Sequence, residues 1–411
     1  MSIDLRPSTR RMVKESPAEN EAIAFIEWLR TERYTDYTID CHIRRLLFVM
    51  PRLWPGSSPP ILREADLQAA FGRERHPYTR FHHFAGTRRV YTRYLRAQGR
   101  LVPELASPLE DLIHQYDQYL TEVRGLSIST RRHHKSTLRG LLARFLSPRG
   151  SLRKLSRDDL ESFILERSRK ISRHSLQHEI AHLRAFLRYA YDVGLVHERL
   201  DGLDTPRIYR DELPPRALPW PSVLQLLGSI DRSSRGGWRD LCILHLIAFY
   251  GLRPSEVVAL SFDSIDWEQG LLHVYQSKTR SPLTLPLDAR TLQLLRDYLD
   301  HGRAGGASTS ASAMLFLRLR CPYIPIERTA VGDIFRKRMR EAGLPDCAKH
   351  VYRLRHTFAM RLLGRGVGMK AIGDVLGHHS FFGTSAYLRL DVAMLRSVAL
   401  PVPYVTGGSH E

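Results

Sequence analysis

The chain of 411 residues carries 62 Lys and Arg against 43 Asp and Glu, a formal charge of +19, with 43% hydrophobic and 26% charged residues. That length holds two to four domains with cores of their own, and the composition is that of an ordinary globular chain. The charge points to a polyanionic partner, and the spread of basic residues (Arg131 and Arg132, Lys154, Arg167 to Lys170, Arg336 to Arg338) to a wrapping protein rather than a sticky tail.

The N-terminal stretch MSIDLRPSTRRMVKESPAEN has no apolar core and does not read as a signal peptide. The first two hundred residues read as one helical unit written twice. Phe25 to Thr38, Leu62 to Phe71 and the run ending at Leu101 find parallels in Tyr116 to Thr130, Leu155 to Phe163 and the run ending at Val196. Apolar stripes at helical spacing, such as Leu112, Tyr116, Tyr119, Leu120 and Leu183, Phe186, Leu187, Ala190, predict two small bundles. Five prolines between Pro206 and Pro221 predict an extended linker. Leu241 to Tyr250 reads as a buried helix, too short to cross a bilayer. His273 to Leu287 predicts a β-hairpin, and helical patterns resume near Leu292 and from Thr329. Gly302 to Ser312 is a low-complexity loop, and the tail from Pro401 is expected to be mobile.

Cys41, Cys242, Cys321 and Cys347 are scattered without metal-type spacing, which predicts neither a disulfide framework nor a zinc site and favours a reducing cytoplasm. The paired histidines His82–His83 and His133–His134 lack metal-binding partners and are expected to face DNA or solvent. No Walker-type phosphate loop is present.

The informative residues lie late. Tyr387 follows His378 by nine residues, His378 follows Arg355 by twenty-three, and Arg253 sits upstream in GLRPSEVVAL. Two arginines suit a phosphodiester because each planar fork donates two parallel hydrogen bonds. A phenol can attack the phosphorus and divide one hard displacement into two. Lysine or histidine can protonate the leaving oxygen.

GLRPSEVVAL, SKTRSPLTLPL, RLRHTFA and LGHHSFFGTSAY, in that order across residues 215–395, resemble the tyrosine recombinases (phage integrase family). The resemblance implies a mainly α fold with a small β component. Its parts would be helical N-terminal DNA-binding domains (SAM-like bundles) and a mixed α/β catalytic domain that clamp duplex DNA. The corresponding boundaries are an extra N-terminal helical domain at 1–105, a core-binding domain at 106–205, a linker at 206–221, a catalytic domain at 222–395 and a tail at 396–411. Residue by residue, it implies phosphate-gripping roles for Arg253 and Arg355, with Glu256 orienting the first. Lys278 would be the general acid, His378 a hydrogen-bonding partner of the phosphate or nucleophile, and Tyr387 the nucleophile that forms a 3′-phosphotyrosyl adduct.

One position departs from the family pattern: Tyr352 stands where a histidine is usual, three residues before Arg355. Pairing His350 with Arg353 instead would move the arginine to the opposite helix face, about 200° away. A phenol, with an ordinary pKa of about 10, is a poor base at neutral pH, but it can donate a hydrogen bond. The resemblance implies no cofactor or metal. It implies specific double-stranded DNA sites, a homotetramer on paired sites, accessory recombinases and a bacterial-type, nucleoid-associated location with no membrane. The biological setting it favours is a mobile genetic element. A type IB-like topoisomerase and a non-catalytic DNA-binding regulator are the competing readings.

Overall fold

The computed structural model describes residues 5–53, 61–72, 81–102, 108–149, 151–207, 217–276, 281–303, 313–320, 323–345 and 350–377. They are mainly helical, with five short strands, and the chain divides into two compact units, Met1–Arg210 and Asp211–Glu411. No helix among the described residues is long and apolar enough to cross a membrane. Most of the low-complexity loop and the tail from Pro401 lie outside the described residues.

The first unit holds two separate hydrophobic cores. One is built by α1 (Pro7–Lys14), α2 (Glu19–Thr31), α3 (Asp36–Leu53), α4 (Glu64–Gly72) and α5 (Phe81–Ala97). A short parallel pairing of β1 (Leu62–Arg63) with β2 (Leu101–Val102) closes it. Ala22, Phe25, Ile26 and Leu29 of α2 recur every three or four residues, so one stripe faces Ile39, Ile43 and Leu46 of α3.

The other core is built by α6 (Pro108–Glu122), α7 (Ile128–Arg149), α8 (Arg157–Ser168) and α9 (Arg173–Asp192). Leu112, Tyr116 and Leu120 are buried together with Leu183, Phe186, Leu187 and Ala190. The start of α8 is set by a reciprocal cap: Ser156 accepts from the Asp159 amide, and the Asp159 carboxylate accepts from the Ser156 amide. One expectation fails here. His134 does not face solvent; it is buried, with its Nδ1 3.2 Å from the Tyr116 hydroxyl. It lies on the core side of α7, where helical periodicity overrides its polarity.

The second unit is arranged around α11 (Arg235–Tyr250), preceded by α10 (Trp220–Gly228). Cys242, Ile243, Leu244, Leu246, Ile247 and Ala248 are all buried, so α11 is apolar almost all round and forms the central helix. After the short α12 (Pro254–Val258) comes an antiparallel sheet in the order β3 (Ile265–Asp266), β4 (Leu271–Gln276), β5 (Ser281–Pro286). The hairpin β4–β5 keeps register from Leu271 opposite Pro286 to Gln276 opposite Ser281. Then follow α13 (Ala289–Asp297), which ends in a π turn, α14 (Arg328–Glu341), α15 (Tyr352–Leu363) and α16 (Met369–Leu376).

Two polar ties hold helices to α11. Arg338 of α14 meets Asp240 at 2.8 Å in a buried ion pair, which Arg239 completes from the neighbouring position. His245 bonds Thr291 of α13 at 2.8 Å, and burial pulls its pKa down to about 4, so the imidazole is neutral.

Candidate active site

The site grows from three helix ends. α11 stops at Tyr250 because Gly251 turns left-handed, φ +64°, a conformation that costs a side-chain-bearing residue free energy. Two residues on, Arg253 caps α12, with Pro254 fixing the first helical position. Glu256, in the first turn of α12, reaches back: its carboxylate accepts from the Arg253 amide at 2.7 Å and from Arg253 Nη1 at 2.6 Å. One carboxylate therefore closes the helix start and orients the guanidinium.

Arg355 comes from the first turn of α15, which packs on α11. Its guanidinium donates to the carbonyls of Gly251, which caps α11, and Leu376, the last residue of α16, and lies 3.8 Å from Glu256 Oε2. Arg253 Nη2 donates to the carbonyl of Gly377 at 3.2 Å. Helix C-termini present carbonyls that lack intrahelical partners and carry partial negative charge, so two of them make a natural seat for cations. The seat is deep: the side chains of Arg355 and Glu256 keep 5% and 2% of their surface, that of Arg253 13%. Two cations share one anion here, which leaves a net positive site matched to a phosphate.

Gly377 is also left-handed, φ +60°, and a Cβ there would fall 1.7 Å from Gln276 Oε1. The buried Gln276, at the end of β4, thus lies against the end of α16. In sequence, Gln276 stands two residues before Lys278 and Gly377 one before His378. Lys278, His378 and Tyr387 lie outside the described residues.

Tyr352 opens α15 one turn before Arg355 and is 41% exposed. His350 is exposed ahead of the helix, and its carbonyl accepts from the Arg353 amide at 3.1 Å. The structure therefore brings Arg253, Glu256 and Arg355 together and leaves His350 aside. His356 is lowered in pKa by burial and then by Arg355 and Arg353. Thr357 exchanges hydrogen bonds with the backbone of Leu218, at 2.8 and 3.1 Å, and ties α15 to the segment before α10.

Residue patterns did not reveal Gly251, Gly377 and Gln276 as parts of the site. The glycines in FYGLR and VLGHH mark helix ends, but only the fold shows that their carbonyls are cation ligands.

The sequence profile of the phage integrase family matches residues 220–394, and that of the phage integrase N-terminal SAM-like domain matches residues 113–194. The protein y4rA of Sinorhizobium fredii (strain NBRC 101917 / NGR234), described as an integrase/recombinase, is 31% identical over 75% of this chain and 76% of its own length. The chain belongs to the phage integrase family of tyrosine recombinases. As a member of that family it is an enzyme, a tyrosine-type site-specific recombinase. Tyrosine recombinase XerC of Roseiflexus sp. (strain RS-1) is 28% identical over 72% of this chain and 93% of XerC. The fold is also that of the XerH site-specific recombinase, solved with a palindromic difH substrate as a post-cleavage complex. The TM-score is 0.54 at 15% identity, with 93% of this chain and 96% of XerH covered.

Proposed function

We propose that this recombinase cleaves and rejoins duplex DNA at specific sites through a 3′-phosphotyrosyl intermediate. Arg253 and Arg355 grip the scissile phosphate, and Glu256 holds their forks in place. The Tyr387 oxygen attacks phosphorus as its phenolic proton passes to water, the bond to the 5′-oxygen breaks, and Lys278 gives that oxygen its proton. His378 donates a hydrogen bond to the phosphate, and Tyr352, exposed one turn from Arg355, adds another. The reverse attack by a 5′-hydroxyl of a partner strand releases Tyr387, so the bond energy is conserved and no ATP is needed.

The observation that carries this reading is the seating of Arg355 and Arg253 on the carbonyls of Gly251, Leu376 and Gly377 around Glu256. Preorganised donors aimed at developing charge usually supply more of the rate enhancement than any other effect. Exchange needs two sites and four cuts, so a tetramer on paired sites is the active form, acting alone or with accessory recombinases. The setting that belongs to this reading is a mobile genetic element.

The test uses a library of nicked duplexes with randomised sequence, whose short cleaved end diffuses away and traps covalent complexes. Wild type is expected to retain DNA through denaturation and Tyr387→Phe to retain none. An adduct that survives in Tyr387→Phe would overturn the assignment of the nucleophile.

A further inference from the structure

The two cores of the first unit agree in detail that generic amphipathic helices would not produce. In the first, Phe25, Trp28, Tyr91 and Tyr94 form a cluster; in the second, Tyr116, Tyr119, Phe186 and Tyr189 do. Phe25–Trp28 and Tyr116–Tyr119 are both stacked, at 6.0 and 6.1 Å. Phe25–Tyr91 and Tyr116–Phe186 are both edge-on, at 5.1 and 5.3 Å, and Phe25–Tyr94 and Tyr116–Tyr189 are both tilted at 5.1 Å.

The backbone agrees as well. After α2 the chain turns left-handed at Arg33, φ 61°, and after α6 at Gly125, φ 57°. Both following helices open on a hydroxyl pair, Thr35–Thr38 at 2.9 Å and Ser127–Thr130 at 3.0 Å. Asp66 accepts from the Arg63 amide at the start of α4, as Asp159 does from Ser156 at the start of α8. α5 and α9 both end through a left-handed glycine, Gly99 and Gly194. The next amide closes back on Leu95 at 2.9 Å and on Ala190 at 2.8 Å. In each core a histidine–threonine bond joins the second and last of these helices, His42 with Thr87 and Thr137 with His182.

We infer that residues 5–102 are a duplicate of the SAM-like domain and form a second duplex-DNA-binding module, a proposal that rests on the DNA recombinase reading above. The charge supports a polyanion over a protein partner. Residues 5–102 hold 18 Arg and Lys against 10 Asp and Glu, while residues 108–207 hold 18 against 13. The N-terminal copy is thus the more basic of the two, whereas protein-contact cores are depleted of charge. Arg45 follows His42 by one turn on α3, and on α5 Arg88 and Arg89 come directly after Thr87, with Arg89 exposed. These three arginines are the part assigned to phosphate contact.

The experiment measures binding of the full-length protein to a random-sequence duplex over a salt series. Wild type is compared with the triple variant Arg45→Glu, Arg88→Glu, Arg89→Glu and with its glutamine counterpart. Each lost phosphate contact should flatten the plot of log K against log salt by about 0.9. The expected result is a slope lower by about 2 to 3, with at least tenfold weaker binding near 100 mM salt, and an intermediate effect for glutamine. Circular dichroism checks that the variants keep the fold, and the glutamine variant decides the matter if the glutamate one does not. Unchanged slope and affinity in a folded variant would overturn the proposal, as would loss of self-association with the slope intact. Failure of wild type to bind duplex in a salt-dependent way would instead sink the DNA recombinase reading itself.

Discussion

Two ion-paired arginines of the SAM-like core stand at the surface: Arg139 with Glu110 and Arg157 with Glu161 are each about half exposed or more. Arg355 and Glu256 of the second unit are almost wholly enclosed, and the guanidinium is hydrogen-bonded to backbone carbonyls with the carboxylate 3.8 Å away. A surface pair is screened and mobile, and contributes on the order of 0–1 kcal/mol. A buried cation set between helix ends is costly to desolvate, so its geometry must be satisfied completely. The contrast separates two uses of one residue type: loose positive charge suits affinity for a long polyanion, and fixed charge suits a single phosphate.

Removing the anion from each setting should test this contrast most severely. Glu256→Ala leaves two enclosed cations without their carboxylate and is expected to cost about 3–5 kcal/mol in urea unfolding of the second unit. Glu110→Ala should cost under about 1 kcal/mol. Equal losses would erase the distinction. Removing the cation comes next. Arg355→Ala should slow covalent adduct formation by about 10² to 10³, with random-duplex affinity within about twofold of wild type, while Arg139→Ala should leave adduct formation unchanged.

A pH series asks instead what the two units share. His42 in the first unit and His245 in the second are both pulled down to about 4 by burial, chiefly through desolvation. A histidine whose folded pKa is depressed binds its proton in the unfolded chain first. The stability is therefore fully present above about pH 6.5 and falls as pH drops toward 4, by up to about 3 kcal/mol per site. Thermal melts at pH 7, 5.5 and 4.5 should show this loss in both units. A flat profile down to pH 4.5 would contradict the burial of these imidazoles.

The last comparison sets one left-handed glycine of each unit side by side. Gly251→Ala adds backbone strain and a Cβ 2.4 Å from Phe358, whereas Gly99→Ala adds the strain alone, since nothing lies within 4 Å. The left-handed conformation by itself costs about 1–2 kcal/mol. Melting should therefore place Gly99→Ala near that figure and Gly251→Ala beyond it.

Much of the architecture was legible because its signals are local. Stripes such as Leu112, Tyr116, Leu120 announce amphipathic helices, and the turn inside His273 to Leu287 announces the hairpin. The register that selects Arg355 over Arg353 also follows from helix geometry. Other features were hidden. Glu21, Tyr91 and Arg100 form a buried polar network, with both partners 2.6 Å from the carboxylate, at a place where the second core uses apolar residues such as Leu112 and Phe186. Nothing in the spacing of Glu21, which sits among exposed-type residues, distinguishes it from an ordinary surface acid. His134, beside His133 in a polar stretch, carries no local mark of its burial either.

The order of the helices, the hairpin, the family and the identity of the two arginines with their glutamate all follow from the primary chain alone, because periodicity, caps and motif spacing are properties of short stretches. Three facts do not. The carbonyls of Gly251, Leu376 and Gly377 seat those arginines, Gln276 meets the end of α16, and the two N-terminal cores share one ring geometry. Each depends on which distant helix ends and faces meet. That meeting is set by the burial of whole apolar faces around α11 and within each bundle, a property no local pattern contains.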